Sequence, residues 1–206
     1  MNSIDVLQRR VGINFSTQND CEILVWAPRA NNVVLHISGS NKRIQLQKKE
    51  RGYWGGSLSD IYPGVNYFIN VDETSYPDPA SVFQPFGFDG PSQALDLNAF
   101  AWQDKLWKNI SISNYIIYEL HVGTFTAEGT FTGIETKLEY LKQLGITAIE
   151  LMPIAQFPGT RNWGYDGVFP FAVQNSYGGP ASLQHLINTC HQHGLAVILD
   201  VVYNHF

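Results

Sequence analysis

The chain has 206 residues, of which 44% are hydrophobic and only 15% are charged. This balance provides enough apolar side chains for one large or two small folded domains and excludes a largely disordered polypeptide. The formal net charge is -5, and the basic residues form no cluster, so the composition does not support nucleic-acid binding. No apolar run approaches the length of a membrane span, so we expect no membrane partner.

The cysteines and the N-terminal segment bear on the cellular compartment. Cys21 and Cys190 are far apart and lack the spacing of a disulfide framework or a zinc site. The segment Met1–Arg10 lacks the apolar stretch of a signal peptide. We therefore expect two reduced thiols, a cytoplasmic location, and neither a bound metal nor a cofactor.

Residues 11–72 have the pattern of an all-β domain, with short alternating runs separated by turn residues roughly every ten positions. The predicted strands are Cys21–Ala27, Val33–Ile37, Ile44–Gln47, Tyr53–Leu58 and Asn66–Val71. Regular spacing of this kind is typical of a β-sandwich. The predicted core contains Trp26, Val25, Leu35, Tyr67 and Ile69. An alternative makes Trp26 and Trp54 surface platforms for a sugar.

Prolines and glycines interrupt residues 72–112, yet phenylalanines in this segment are too apolar for a free linker. We therefore predict a sandwich at 1–90, a packed connector at 91–112 and a second domain at 113–206.

The second domain alternates strands and helices. The predicted strands are Tyr115–Leu120, Ile146–Met152 and Leu195–Val202. The capping-box pattern Thr132–Glu135 predicts the start of the first helix, which ends at Gly145. The apolar residues expected on the buried helix faces are Ile134, Leu138, Leu141 and Leu144, then Leu183, Leu186, Ile187 and Cys190. This order predicts a βαβαβ unit with a parallel sheet.

Acidic residues occur near the C-terminal ends of all three predicted strands, at Glu119, Glu150 and Asp200. Carboxylates that converge in this way can divide into an acid and a base. The alternative, which we favour, is that they are buried partners for backbone or arginine groups. His121 and His205 also follow strands, and a histidine in such a position is more often structural than catalytic.

The loop Ile154–Gly179 is longer than most strand-to-helix connections, and loops of that length are commonly functional. It contains an aromatic residue, glycines and a carboxylate in the run Asn162–Gly167, which suits a pyranose ring. We expect Trp163 and Phe171 only to pin the loop, whereas sugar contact and pinning are equally compatible with Tyr165.

Several motifs resemble the α-amylase superfamily of glycoside hydrolases. Asp200–His205 resembles its first signature region, and Tyr118–Thr126 resembles the first barrel strand of its branching-enzyme-like members. Three further motifs resemble the trehalohydrolase family within it: Asn162–Val168, Asp78–Ser81 and Phe83–Pro85. Branching enzymes tend to carry glutamine at the position of Asp166.

The resemblance implies an α+β multidomain fold. An N-terminal immunoglobulin-like β-sandwich of the glycan-binding type would precede the first three strands and two helices of a (β/α)8 TIM barrel. It also implies hydrolysis of the α-1,4 bond next to the trehalose end of malto-oligosyltrehalose, with release of trehalose.

The same resemblance implies roles for five residues. Tyr165 would stack on the sugar at the cleavage subsite, His205 would hydrogen-bond its hydroxyl, and Asp166 would contact the substrate. Asp200 and Asn204 would support the site, and although Asn204 matches a calcium ligand in some amylases, trehalohydrolases do not generally need the ion.

In that superfamily the nucleophilic Asp, the general-acid Glu and a third Asp follow later barrel strands, so these 206 residues supply no catalytic residue of that set. We therefore expect an N-terminal fragment that is inactive alone, with an α-1,4-glucan or malto-oligosyltrehalose as its substrate partner and the missing C-terminal part of the barrel as a further partner. The alternatives are a relative of glycogen branching or debranching enzymes and a glycan-binding module only.

Overall fold

A computed structural model describes residues 10–16 and 21–203 and divides the chain into two compact units, Met1–Ala99 and Phe100–Phe206. The division falls inside the segment 91–112 that the sequence predicts as a connector.

The first unit consists of two antiparallel sheets. Its strands are β1 (Gly12–Phe15), β2 (Cys21–Trp26), β3 (Val33–Ile37), β4 (Arg43–Gln45), β5 (Gln47–Lys48), β6 (Tyr53–Leu58), β7 (Asn66–Val71), β8 (Thr74–Tyr76) and β9 (Ser92–Gln93). One sheet has the order β1-β2-β6-β5, and the other has the order β4-β3-β7-β8 with β9 paired to β7. A 3-10 turn, Glu50–Gly52, precedes β6. Apolar side chains from both sheets share one core.

The alternation of β2 corrects one prediction. Val25 is buried, and Trp26 is 61% exposed, because adjacent residues of a strand point to opposite faces. The prediction that both belong to the core was therefore wrong for Trp26. Trp54 is buried and its indole nitrogen donates to the Ala27 carbonyl at 3.0 Å, which contradicts the alternative of a Trp54 surface platform. The other predicted core residues, Leu35, Tyr67 and Ile69, are fully buried, as Val25 is.

A buried polar cluster holds the irregular segment after β8 against the second sheet. The Tyr67 hydroxyl donates to the Asp78 carboxylate at 2.8 Å, and the Asp78 amide donates to the Ser92 hydroxyl at 2.9 Å. The Gln84 side chain lies 2.6 Å from the same hydroxyl. Because buried polar groups must be hydrogen-bonded, this cluster fixes the path of the chain through the Asp78–Pro85 region.

The second unit is built on a parallel sheet. Its strands are β10 (Ile117–Leu120), β11 (Ala148–Leu151), β12 (Ala155–Gln156), β13 (Phe169–Val173) and β14 (Ala196–Leu199). Its helices are α1 (Val122–Phe125), α2 (Phe131–Glu135), α3 (Leu138–Gln143) and α4 (Gly179–Gln192), with 3-10 turns at Ile112–Asn114 and Asn175–Tyr177. The parallel sheet has the order β10-β11-β14, and β12 and β13 form a separate antiparallel pair. The long loop of the prediction therefore contains a hairpin.

Two details of the first helical region differ from the prediction. The N-cap is Thr130, whose hydroxyl accepts from the Gly133 amide at 3.2 Å, so the predicted cap at Thr132 was two residues late. The helix is also divided into α2 and α3. Leu144 lies just after the end of α3 and is 57% exposed, whereas Leu138 and Leu141 within the helix are fully buried.

Leu138→Ala is expected to lower the free energy of unfolding by about 2–5 kcal/mol, because it removes a fully buried side chain and leaves a cavity. Leu144→Ala is the matched control and should change it by less than about 0.5 kcal/mol, since that side chain is mostly exposed. Urea denaturation of both variants measures the difference. Equal losses would contradict the exposed position of Leu144.

The longest described helix is α4, with 14 residues. None of the helices in residues 10–16 and 21–203 is long and apolar enough to cross a membrane.

Candidate functional site

The C-terminal edge of the parallel sheet brings the acidic residues together. Glu119 of β10 is in register with Glu150 of β11, and Glu150 is in register with Ile198 of β14. Their side chains therefore lie side by side on one face, since neighbouring strands are about 4.8 Å apart. Asp200 follows β14, and its amide donates to the Leu151 carbonyl at 3.0 Å. Two residues beyond Ile198, Asp200 continues the same face.

Tyr165 comes from the long loop and meets this edge. Its hydroxyl donates to the Asp200 carboxylate at 3.1 Å, while 36% of the side chain stays exposed. This hydrogen bond is the main cause that raises the pKa of Tyr165, followed by desolvation and then by the negative charges of Asp200, Glu119 and Glu150. The phenol of Tyr165 is thus close enough to the acidic residues of all three strand ends to be affected by their charges.

The loop that presents Tyr165 is held by Asn162. The side-chain oxygen of Asn162 accepts from the Gly164 amide at 2.7 Å, and its nitrogen donates to the Asp166 carboxylate at 2.9 Å. Gly164 has φ +98, and a Cβ at this position would collide with the Pro153 carbonyl oxygen. Only glycine fits this turn without strain. Asp166 remains exposed, with an oxygen directed to the loop itself.

His121 ties the same loop to the end of β10. One ring nitrogen, Nε2, lies 2.7 Å from the Asn162 carbonyl oxygen, and the other, Nδ1, lies 3.1 Å from the Thr124 hydroxyl. The structural interpretation of His121 therefore fits its contacts. Sequence reasoning missed its link to Asn162, because the two residues are 41 positions apart and no motif joins them.

Two aromatic residues of the loop do not pin it. Trp163 is 74% exposed and Phe171 is 49% exposed, so the expectation that they hold the loop by packing was wrong. The buried aromatic side chains of this loop are instead Phe157, Phe169 and Tyr177. Polar contacts of Asn162 and of the buried Gln174 side chain also restrain the loop.

Asn204 and His205 lie outside the described residues. Within 10–16 and 21–203, no group of three or more His, Cys, Asp or Glu side chains is arranged to hold a metal ion.

Asp200→Asn is expected to lower the pKa of Tyr165 towards its ordinary value, because the carboxylate both accepts the phenol's hydrogen bond and repels the phenolate. In the wild type, the folded pKa lies above the unfolded one. The contact therefore stabilises the fold below pH 10, and its contribution is lost as the pH rises through the folded pKa. Ultraviolet titration of the phenols measures the shift. Glu139→Gln, an equal loss of charge on α3, should leave it unchanged, and an unaltered titration in Asp200→Asn would contradict the contact.

Comparison with known proteins agrees with the resemblance to the α-amylase superfamily. A malto-oligosyltrehalose trehalohydrolase of Saccharolobus solfataricus is 50% identical over 183 residues, which cover 88% of this chain and 32% of that protein. The 1,4-alpha-glucan branching enzyme GlgB of Oceanobacillus iheyensis is 34% identical in an alignment of 215 positions that covers 94% of this chain and 34% of that protein. The chain thus spans about a third of the length of these curated relatives.

A crystal structure of a Salmonella typhimurium protein assigned to the alpha amylases has the same fold, with a TM-score of 0.92 and 36% identity. The match covers 97% of this chain and 34% of that one. The family described as "Alpha amylase, catalytic domain" matches residues 69–206, which is more than half of the chain. This chain therefore belongs to the alpha-amylase catalytic-domain family.

Proposed function

We propose that this chain is the sugar-positioning part of a glycoside hydrolase that releases trehalose from malto-oligosyltrehalose by cleaving the adjacent α-1,4 bond. The hydrogen bond from Tyr165 to Asp200 carries the proposal, because it fixes a partly exposed aromatic ring at the carboxyl edge of a parallel sheet. Active sites of (β/α) barrels lie at that edge.

The chemistry of the edge suits a glucosyl unit. The exposed face of Tyr165 offers an apolar surface to the C–H face of a pyranose, and Asp200 fixes the ring's tilt through the phenol. Asp166 presents a carboxylate that accepts hydrogen bonds from sugar hydroxyls. In this proposal His205 binds a hydroxyl of the same sugar, and Asn204 supports the strand end.

Two observations favour trehalose release over branching. Asp166 stands where branching enzymes tend to carry glutamine, and its carboxylate is tied to Asn162 at 2.9 Å. The identity to a trehalohydrolase also exceeds the identity to a branching enzyme. We also propose a cytoplasmic location and a role in trehalose biosynthesis.

We also propose an architecture for the two units. The first unit would be an immunoglobulin-like sandwich of the glycan-binding type, and β10, β11 and β14 would be the first three strands of a (β/α)8 barrel. In such a barrel the nucleophile and the general acid would follow later strands, and those strands would be the packing partner of this unit.

Product analysis tests this proposal in the longest native polypeptide that carries residues 1–206. Malto-oligosyltrehalose should yield free trehalose, and maltotetraose, which has no trehalose end, is the control substrate that should not. New α-1,6 branches in place of trehalose would favour the branching alternative and overturn the assignment.

A second candidate function is glycan binding by the first unit. Trp26 is 61% exposed, and its indole nitrogen donates to the Arg51 carbonyl at 3.2 Å, which fixes the ring. It borders a shallow pocket of about 460 Å³ lined by Trp26, Ala27, Pro28, Arg29, Ala30, Val71 and Asp72. A fixed and exposed indole is a suitable platform for a sugar ring.

Trp26→Ala is expected to weaken maltoheptaose binding by the full chain about tenfold, which is the loss of about 1.4 kcal/mol of stacking. Tyr62→Ala removes another exposed aromatic side chain of the first unit and should leave affinity unchanged. Isothermal titration calorimetry measures both. Unchanged affinity in Trp26→Ala would contradict the proposal that Trp26 stacks on a sugar ring.

A further inference from the structure

The hydrogen-bond network determines which nitrogen of His121 carries the proton. A carbonyl oxygen can only accept, so the Nε2 atom at 2.7 Å from the Asn162 carbonyl must donate to it. In the neutral ring, Nδ1 then accepts, and the Thr124 hydroxyl at 3.1 Å is its donor. The tautomer assigned from the network is therefore Nε2–H.

We propose that His121 is a positioning residue that holds the Asn162–Asp166 turn, and with it Tyr165, in the geometry needed to receive the sugar; this inference rests on the proposed function. The contacts form a continuous series. His121 binds the Asn162 backbone, and the Asn162 side chain binds the Gly164 amide at 2.7 Å and the Asp166 carboxylate at 2.9 Å. Tyr165 lies between those two partners and reaches Asp200.

The His121 ring is itself fixed by a buried aromatic group. The Tyr177 hydroxyl lies 3.1 Å from Nε2, and the two rings meet edge to face with centroids 6.0 Å apart. Tyr177 is 1% exposed and contacts the rings of Phe131 and Phe157. Because the core holds Tyr177, the imidazole cannot follow a displaced loop, and it therefore acts as a fixed point for Asn162.

Gly123 leaves the space that this arrangement needs. A Cβ there would lie 3.0 Å from Cε1 of His121 and 3.1 Å from Cε1 of Tyr177, tighter than ordinary van der Waals contact. The turn after β10 thus accommodates the imidazole and the phenol together. An added methyl group would push His121 without removing its hydrogen-bonding atoms.

Two substitutions of His121 test whether its hydrogen bond to the Asn162 carbonyl, as opposed to its side-chain bulk, holds the loop. In His121→Gln, the amide nitrogen occupies the position of Nε2 and can still donate to the Asn162 carbonyl. In His121→Asn, the shorter amide occupies the position of Nδ1, and the donor to Asn162 is lost. His185→Asn is the matched control, since His185 is exposed on α4 and contacts Glu135.

Two readouts are measured in the longest native polypeptide that carries residues 1–206: the phenol titration of Tyr165 and kcat/KM for trehalose release from malto-oligosyltrehalose. His121→Asn should return the pKa of Tyr165 towards its ordinary value and lower kcat/KM about 100-fold, the loss that a displacement of about 1 Å can cause. His121→Gln and His185→Asn should resemble the wild type in both.

The outcomes distinguish this inference from the proposed function. A shifted phenol titration only in His121→Asn, with no trehalose release even by the wild type, supports the positioning role and rejects the proposed activity. Equal behaviour of the Gln and Asn variants, in either direction, overturns the positioning role. Where His121→Asn does not fold, Gly123→Ala provides the test: an unchanged Tyr165 titration in that variant rejects the inference, and a lowered pKa supports it.

Discussion

Tyr165→Ala is expected to lower kcat/KM for trehalose release about 100-fold in the longest native polypeptide that carries these residues. Such a factor corresponds to about 2.7 kcal/mol of transition-state stabilisation. The physical reason is the loss of the aromatic surface that Asp200 holds at 3.1 Å through the phenol. Without it, the sugar would not be held in line with the hydrolytic groups.

Steady-state kinetics with malto-oligosyltrehalose measures this effect. Tyr140→Ala is the matched control, because Tyr140 is a 60% exposed tyrosine on α3. Tyr165→Phe keeps the ring and loses the hydroxyl, so it should fall between the wild type and the alanine variant. Wild-type kinetics in Tyr165→Ala would place the sugar elsewhere.

Gly164→Ala is expected to cause a large loss of unfolding free energy. The alanine would have to keep φ +98, and its Cβ would also collide with the Pro153 carbonyl oxygen. Gly159→Ala is the matched control: it has φ +77 with open space around the position. The control should lose about 1–2 kcal/mol of unfolding free energy from the left-handed backbone alone. Gly164→Ala should lose about 3 kcal/mol or more, since the steric conflict is with backbone.

Urea denaturation separates the two glycine variants, and the phenol titration of Tyr165 reports on the loop. We expect a lowered Tyr165 pKa only in Gly164→Ala, because that substitution displaces the turn between Pro153 and Asp166. Equal unfolding free energies for both variants would show that the loop relaxes around the added methyl group.

Much of the fold follows from local sequence patterns. Val33–Ile37, Tyr53–Leu58 and Asn66–Val71 have the predicted strand boundaries, because alternating apolar residues and turn residues mark them directly. The face of a strand is harder to assign where large apolar residues are adjacent. Val25 and Trp26 illustrate this, since either could have pointed inward and the core accepted the smaller one.

Helix boundaries depended on a competition between similar signals. Thr130 and Thr132 are both able to cap a helix, and their hydroxyls lie 3.0 Å apart. Thr130 is the cap because its hydroxyl reaches the Gly133 amide. The backbone after Gly129, which has a positive φ, determines which of the two threonines is in reach. The pattern of residue types alone contained no information on that path.

The sequence predicted which residues meet at the strand ends of the candidate site, but it did not predict the contacts of the loop. Parallel pairing places Glu119 beside Glu150 once the strands are recognised. The contact between Tyr165 and Asp200 spans 35 residues, and the link from His121 to Asn162 spans 41. Such distant contacts depend on the three-dimensional course of the loop, which includes the hairpin of β12 and β13 that the sequence did not indicate.

Trehalose release by the purified 206-residue chain is the most direct measurement of whether these residues position the sugar without cleaving it. Glu119 and Glu150 are in register on neighbouring strands, and a retaining glycosidase needs two carboxyl groups about 5 Å apart. We predict no measurable trehalose from malto-oligosyltrehalose with the wild type or with Glu119→Gln, Glu150→Gln and Asp200→Asn. Robust release by the wild-type chain that one of these three substitutions abolishes would contradict this prediction and place the hydrolytic carboxylates on β10, β11 and the end of β14.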